Sequence, residues 1–207
     1  MSLSRALHIA AWNIFDRLNA ANIPAYLLGG AAIQLNGGDR YTKDLDLNAI
    51  TVDLRKRLSA DFLFSVTGVD RARMTYLGGE RPIRCDLRVQ RSPPMKVVLP
   101  YTTVTEDGIR YALPSLLLAT KLRAMGERNE NIHSGKLDSD AVDVEFCVGK
   151  MLAEEAKMPD LLKAAYITEA GVQMYLAIAS QSDQDMVPLL EEMLVQVGAV
   201  DQPSGGL

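Results

Sequence analysis

The sequence predicts an α/β (α+β) fold: a small mixed, mostly antiparallel sheet with flanking helices over residues 1–113, followed by a helical bundle over 114–200. Three observations lead there. The segments KDLDLNA (43–49) and IRCDLRV (83–89) alternate polar and apolar residues with period two, the mark of a strand with one buried face. A short apolar run, AYLL (25–28), enters Gly29-Gly30 and then AAIQL (31–35), which reads as strand, turn and short helix. From Lys136 onward the apolar positions recur at helical spacing.

The elements follow in order. Leu3, Ala6, Leu7, Ala10, Ile14 and Leu18 lie on one helical stripe, which predicts an amphipathic helix over 3–20, closed off before Pro24. Trp12 and Tyr26 are most simply core or sheet-packing aromatics. Asn36-Gly37-Gly38 ends the short helix after AAIQL. Asp44, Asp46 and Asn48 then point one way, and Leu45, Leu47 and Ala49 the other. Residues 53–60 read as a charged helix and FLFSV (62–66) as a strand. In the second alternating segment Ile83, Cys85, Leu87 and Val89 share one face; Arg84, Asp86 and Arg88 share the opposite one. The prolines of 92–100 predict a loop, and Asp107-Gly108 a small hairpin. Pro114 opens a helix through Met125. Helices are expected over 136–152, 158–166, 168–180 and 184–198, with a disordered tail at 201–207. No Gly/Ser-rich linker separates the two parts, so they are expected to pack together.

Composition narrows the function. The chain has 207 residues, a net charge of −4 and a pI near 5.3, so no global basic field draws it to nucleic acid or an anionic membrane. Any anion contact must be local, and arginines do cluster at 71–73 and 81–91. The two cysteines, Cys85 and Cys147, form neither a C-x-x-C pair nor a disulfide framework. With no signal peptide or membrane span, the expected location is the cytoplasm. His8, His133 and Cys85 show no partner pattern that would make them catalytic.

The chemistry is carried by carboxylates. On a strand Asp44 and Asp46 stand side by side. Like charges that close repel unless a cation neutralises them, and hard oxygen donors suit magnesium or manganese. Alone, a D-x-D is more often a solvated strand edge. Asp86 sharpens the reading, because it lies on a second strand whose apolar face fixes its register. If the strands are neighbours, the three carboxylates converge and can hold two metal ions ~4 Å apart, with Asp86 placed to accept a hydroxyl proton. The alternative for Asp86 is an ion pair with Arg84 or Arg88. Gly29-Gly30 before a helix suits a phosphate, though a tight turn explains it equally well.

The whole stretch reads G-G-x-A-x4-G-x2-R-x-T-x-D-x-D through Gly29, Gly30, Ala32, Gly37, Arg40, Thr42, Asp44 and Asp46. It resembles the nucleotidyltransferase superfamily with the DNA polymerase β-like fold, and within it the AbiEii-type nucleotidyltransferase toxins and their relatives. The likeness covers about 20–145, with Asp86 at the family's later strand aspartate. It implies transfer of a nucleoside monophosphate from an NTP such as ATP to a hydroxyl, with pyrophosphate released and Mg2+ or Mn2+ required. It further implies that Asp44, Asp46 and Asp86 bind metal, that Gly29, Gly30, Arg40, Thr42 and Lys121 hold the nucleotide, and that Arg128 meets the substrate; Arg84 and Arg88 are substrate candidates by their place in the arginine cluster. Arg40 is equally readable as a structural partner of the acidic strand.

The match also departs from the family. Many members carry Gly-Ser where this chain has Gly29-Gly30, and toxin relatives have a compact Lys-Asp after their helix Arg where this chain spreads Lys136, Asp138, Asp140 and Asp143. The acceptor stays open among RNA (a tRNA end included), a protein hydroxyl and, as an alternative, an aminoglycoside-type small molecule. A noncatalytic protein that binds nucleotide or a partner is a third reading. Acidic residues over 138–145 would suit a cationic drug, whereas the arginines around Arg84 would suit RNA. A single chain carries no signature from which an antitoxin partner would be inferred.

Overall fold

The computed structural model describes residues 3–50, 63–65, 73–128, 134–182 and 184–201. The expected helix at 53–60, Arg71, His133 and nearly all of the expected tail lie outside them. The chain divides into two compact units, Met1–Leu113 and Pro114–Leu207.

The first unit is built on a mixed sheet of seven strands among the described residues, in the order β3-β4-β5-β2-β1-β7-β6. The strands are β1 (Ala25–Leu28), β2 (Asp44–Ala49), β3 (Phe64–Ser65), β4 (Arg73–Tyr76), β5 (Ile83–Val89), β6 (Thr102–Val104) and β7 (Arg110–Ala112). Antiparallel pairings join β1 to β2, β3 to β4, β4 to β5 and β6 to β7; parallel pairings join β2 to β5 and β1 to β7. The sheet is therefore mixed and mostly antiparallel, as the sequence predicts.

Alternation sorts its two faces. Leu45, Leu47, Met74, Tyr76, Ile83 and Cys85 are buried on one face, in the same apolar cluster as Leu7, Ala10, Ala11, Ile14, Phe15 and Leu18 of α1 (Arg5–Ala20). Burial of this face is the main driving force for the unit. Ser4 caps α1, its hydroxyl accepting from the Leu7 N–H. Trp12 is 45 % exposed, contrary to the core role expected of it, because it falls off the buried stripe of α1. The helix α2 (Gly29–Leu35) starts at the first glycine, two residues earlier than AAIQL suggests. A one-turn helix α3 (Met95–Val98) and a 3-10 turn (Leu99–Tyr101) occupy the stretch expected to be loop. They are too short for a periodic signal, and buried Met95 and Val98 anchor the helix.

The second unit is helical: α4 (Pro114–Gly126), α5 (Ser134–Ala153), α6 (Asp160–Tyr166), α7 (Glu169–Ser182) and α8 (Val187–Gln196). Leu116, Leu117, Leu118, Ala119, Leu122 and Met125 make α4 apolar almost all round, which marks it as the central helix of the unit. Among the described residues no helix is long and apolar enough to cross a membrane.

Lys121 of α4 is buried, its Nζ 2.6 Å from Asp140 Oδ1 and 2.5 Å from Asp143 Oδ2 of α5; Arg128 also pairs with Asp140. Side-chain exposure is 11 % for Lys121, 1 % for Asp140 and 0 % for Asp143. Lys121, expected to neutralise triphosphate, is thus engaged with two carboxylates of its own unit. Its charge is already matched inside the unit, and withdrawing it would strand two buried carboxylates. Arg128, expected at the substrate, is likewise engaged with Asp140.

Two measurements check this packing. Lys121→Met keeps the bulk and removes the cation, and should cost about 3–5 kcal/mol in urea unfolding. Burial, partly opposed by a backbone hydrogen bond from Tyr76, pushes the Cys85 thiol up to about 12; burial and the nearby Asp143 raise Cys147 still further. Ellman's reagent at pH 8 should therefore find neither thiol in the folded protein and both after denaturation.

Candidate active site

The polar face of the sheet carries the site. In the parallel ladder between β2 and β5, Asp46 is the partner of Asp86, Asp44 of Arg84 and Asn48 of Arg88. Register partners share a face, so the three aspartates stand on one surface, as required for a joint function. Their side chains are 24–28 % exposed, accessible to solvent but not free in it.

Arginines neutralise them. Arg84 pairs with the Asp44 carboxylate and also reaches Asp86, with Nη2 to Oδ2 at 3.2 Å. Arg73, register partner of Asp86 on β4, donates from Nε to Asp86 Oδ1 at 3.0 Å. Arg88 lies 3.9 Å from Asp46. The ion-pair alternative for Asp86 thus holds with Arg84, and Arg88 turns to Asp46 instead. Arg73 is a site neighbour that motif reading passes over. The alternation of RMTY, exposed at Arg73 and buried at Met74 and Tyr76, is the signal that it faces outward.

The glycine turn and the Arg40–Thr42 segment are packed against the same carboxylates. Gly29 has φ +59°, and a Cβ there would lie 2.2 Å from Asp46 Oδ2. Glycine is needed for both the left-handed backbone and the close approach. At Gly30 a Cβ would meet Thr42 Cβ at 2.8 Å and Oγ1 at 3.1 Å. The second glycine is thus where α2 and the chain leading into β2 touch. Gln34 Nε2 donates to the Arg40 carbonyl at 2.5 Å, fastening that segment to α2. Thr42 Oγ1 donates toward Asp44, 3.1 Å from Oδ1 and 3.2 Å from the carbonyl. In this geometry Thr42 orients Asp44. Beyond Asp46, Asn48 is buried, and its amide donates to Tyr26 Oη at 3.0 Å and Gln90 Oε1 at 2.8 Å.

The donor set suits a hard divalent cation, since all three groups are carboxylates on one accessible face. Among the described residues, no three acidic, histidine or cysteine side chains stand close enough to hold one ion as they are placed. The arrangement accounts for this: a guanidinium occupies the place between Asp44 and Asp86, and Asp46 is turned toward Gly29. The donor type is thus one that hard cations take, and in this arrangement the cation between Asp44 and Asp86 is Arg84.

No family profile and no curated protein sequence matches the chain. Among solved structures it is similar to an antigenic nucleotidyltransferase-like protein from Paracoccidioides brasiliensis, with 21 % identity, TM-score 0.65, and 91 % of this chain and 93 % of that one covered. The two share a fold. Fainter likenesses are to the antibiotic-resistance factor ANT(2'')-Ia (14 % identity, TM-score 0.49, 93 % and 97 % covered) and to terminal uridylyl transferase 4 from Trypanosoma brucei (11 %, 0.37, 84 % and 64 %). At those TM-scores they carry no argument.

The Gly29 contact is testable against Gly37, which also has positive φ (+94°) but nothing within 4 Å of a built Cβ. Gly37→Ala should cost about 1–2 kcal/mol in urea unfolding, the strain of the backbone alone. Gly29→Ala should cost clearly more, because the Asp46 carboxylate must move as well; equal losses would mean that the contact is not structural.

Proposed function

We propose that this protein is a divalent-metal-dependent nucleotidyltransferase that moves a nucleoside monophosphate from an NTP to a hydroxyl of RNA. The observation that carries the reading is the register pairing of Asp46 with Asp86, with Asp44 on the same face. Two further features support it. The motif resembling AbiEii-type toxins, Gly29 to Asp46, is packed as one unit around those carboxylates. The fold is also shared with a nucleotidyltransferase-like protein.

For the acceptor, burial bears on the two opposing sequence signals. Asp140 and Asp143 are spent on Lys121 and Arg128, so they do not form an acidic pocket for a polycationic drug. Arg73, Arg84 and Arg88 stand on the face of the aspartates, and once metal takes up those carboxylates their charge favours an anionic acceptor over an aminoglycoside.

In the proposed reaction the acceptor oxygen forms a bond to the α-phosphorus, the bond to the bridging oxygen of the β-phosphate breaks, and pyrophosphate leaves. Bound divalent metal supplies Lewis-acid stabilisation of the triphosphate and acidifies the acceptor hydroxyl. Asp44, Asp46 and Asp86 would hold that metal. Asp86 accepts the hydroxyl proton on a carboxylate oxygen. Thr42 keeps Asp44 oriented, and Gly29 leaves room for the Asp46 carboxylate. Gly29 borders Asp46, Gly30 and Arg40 adjoin each other, and the three take the phosphates.

The test is label transfer from each of four α-labelled NTPs, with Mg2+ or Mn2+, into total RNA, total protein and an aminoglycoside panel. Label should enter RNA and fall about a hundredfold or more in Asp46→Asn and Asp86→Asn. Label in the drug panel would overturn the acceptor. Transfer unaffected by either substitution would overturn the site.

A further inference from the structure

We infer that Arg84 is an exchangeable counter-ion: it closes the metal-free carboxylate site, and on metal binding it is released to hold a phosphate group of the substrate. The inference rests on the metal-binding reading above and adds a coupling between the two ligands.

The argument begins with charge. Three carboxylates on one face of two adjoining strands repel one another, and Arg84 reaches two of them, Asp44 and Asp86. Its place there is set by the backbone, since Arg84 is the register partner of Asp44. A guanidinium keeps its proton at any physiological pH, so it leaves such a site by displacement and not by neutralisation. Displacement is easy here. The Arg84 side chain is 48 % exposed, and ion pairs open to water hold weakly. The contrast is Lys121, enclosed at 11 % exposure between two carboxylates that are themselves buried, one of them also paired with Arg128.

The neighbours extend the consequence. Arg73 is paired with Asp86 and Arg88 approaches Asp46, so each arginine of this face is matched to a member of the triad. In the metal-free state the face is close to charge-balanced. When the carboxylates turn to a divalent cation, the same guanidiniums, Arg84 first, face outward beside the reacting centre. Their planar forks match phosphate oxygens. Metal should therefore strengthen phosphate binding, and by linkage phosphate should strengthen metal binding.

The experiment is Mn2+ titration followed by electron paramagnetic resonance on the full-length chain, comparing the parent with Arg84→Gln, Arg84→Lys and Arg88→Gln, each checked for folding by circular dichroism. Arg84→Gln should bind Mn2+ about fivefold tighter, Arg84→Lys should lie between it and the parent, and Arg88→Gln, which removes the same charge from a more distant position, should change by less than about twofold. Anisotropy of a labelled oligoribonucleotide, and separately of a labelled non-hydrolysable NTP analogue, is then measured with and without Mn2+. The parent should gain affinity for at least one probe on adding Mn2+, and Arg84→Gln should lose most of that gain; which probe responds tells acceptor phosphate from nucleotide phosphate. Equal Mn2+ affinities in the parent and Arg84→Gln would overturn the counter-ion role while leaving the metal reading intact. A retained Mn2+-dependent gain in Arg84→Gln would overturn the release. No Mn2+ binding by any variant would overturn both this inference and the metal reading.

Discussion

The structure of the first unit depends on one adjacency, the parallel pairing of β2 with β5. It sets Asp46 directly beside Asp86 and Asp44 beside Arg84. Like charges opposite one another in a ladder are destabilising, so the pairing must be sustained by something else. On the reverse face Leu45, Leu47, Cys85 and Leu87 are buried in the cluster to which α1 contributes, and that apolar burial holds the strands together. On the polar face, arginines of β4 and β5 offset the repulsion. The carboxylates are thus gathered by forces acting on the opposite side of the sheet, which leaves their own chemistry available.

Each unit contains a network of Asp with Arg or Lys, and the two differ in what water can reach. In the helical unit Lys121, Asp140 and Asp143 are enclosed, and such a group is costly to break once formed. On the sheet, Arg84 and its aspartates are open to solvent, and the same kinds of charge are held only loosely. Burial converts an ion pair into a structural part; exposure leaves it free to exchange. Composition counts both networks alike, which is why the acidic stretch near Asp138 and the arginines near Arg84 seem to argue against each other in the bare sequence.

Much of this was legible before any coordinates. Period-two alternation fixes which side of KDLDLNA and IRCDLRV faces the core, because a slip of one residue would bury charge. The hairpin at Asp107-Gly108 and the helical second half follow from turn chemistry and spacing. Which strands adjoin was not legible from periodicity, since pairing is a long-range property; only the motif's likeness to a known family suggested it. Arg73 was missed as a site neighbour for the same reason, its register with Asp86 being set by β4 pairing across a turn. For Lys121 the motif's likeness suggests a nucleotide contact, and nothing local announces that Asp140 and Asp143 enclose it. Trp12 was misplaced by treating size as burial, when helical phase decides which way a residue of α1 points.

The most direct measurement is a 15N–1H spectrum of the protein recorded during addition of substoichiometric Mn2+, whose paramagnetism broadens the amides nearest to it. The account predicts broadening centred on Asp44, Asp46 and Asp86, spreading first to Gly29 and Gly30, and abolished by Asp46→Asn. Broadening centred on the helical unit, or unchanged by that substitution, would contradict the assignment of the sheet carboxylates as the metal site.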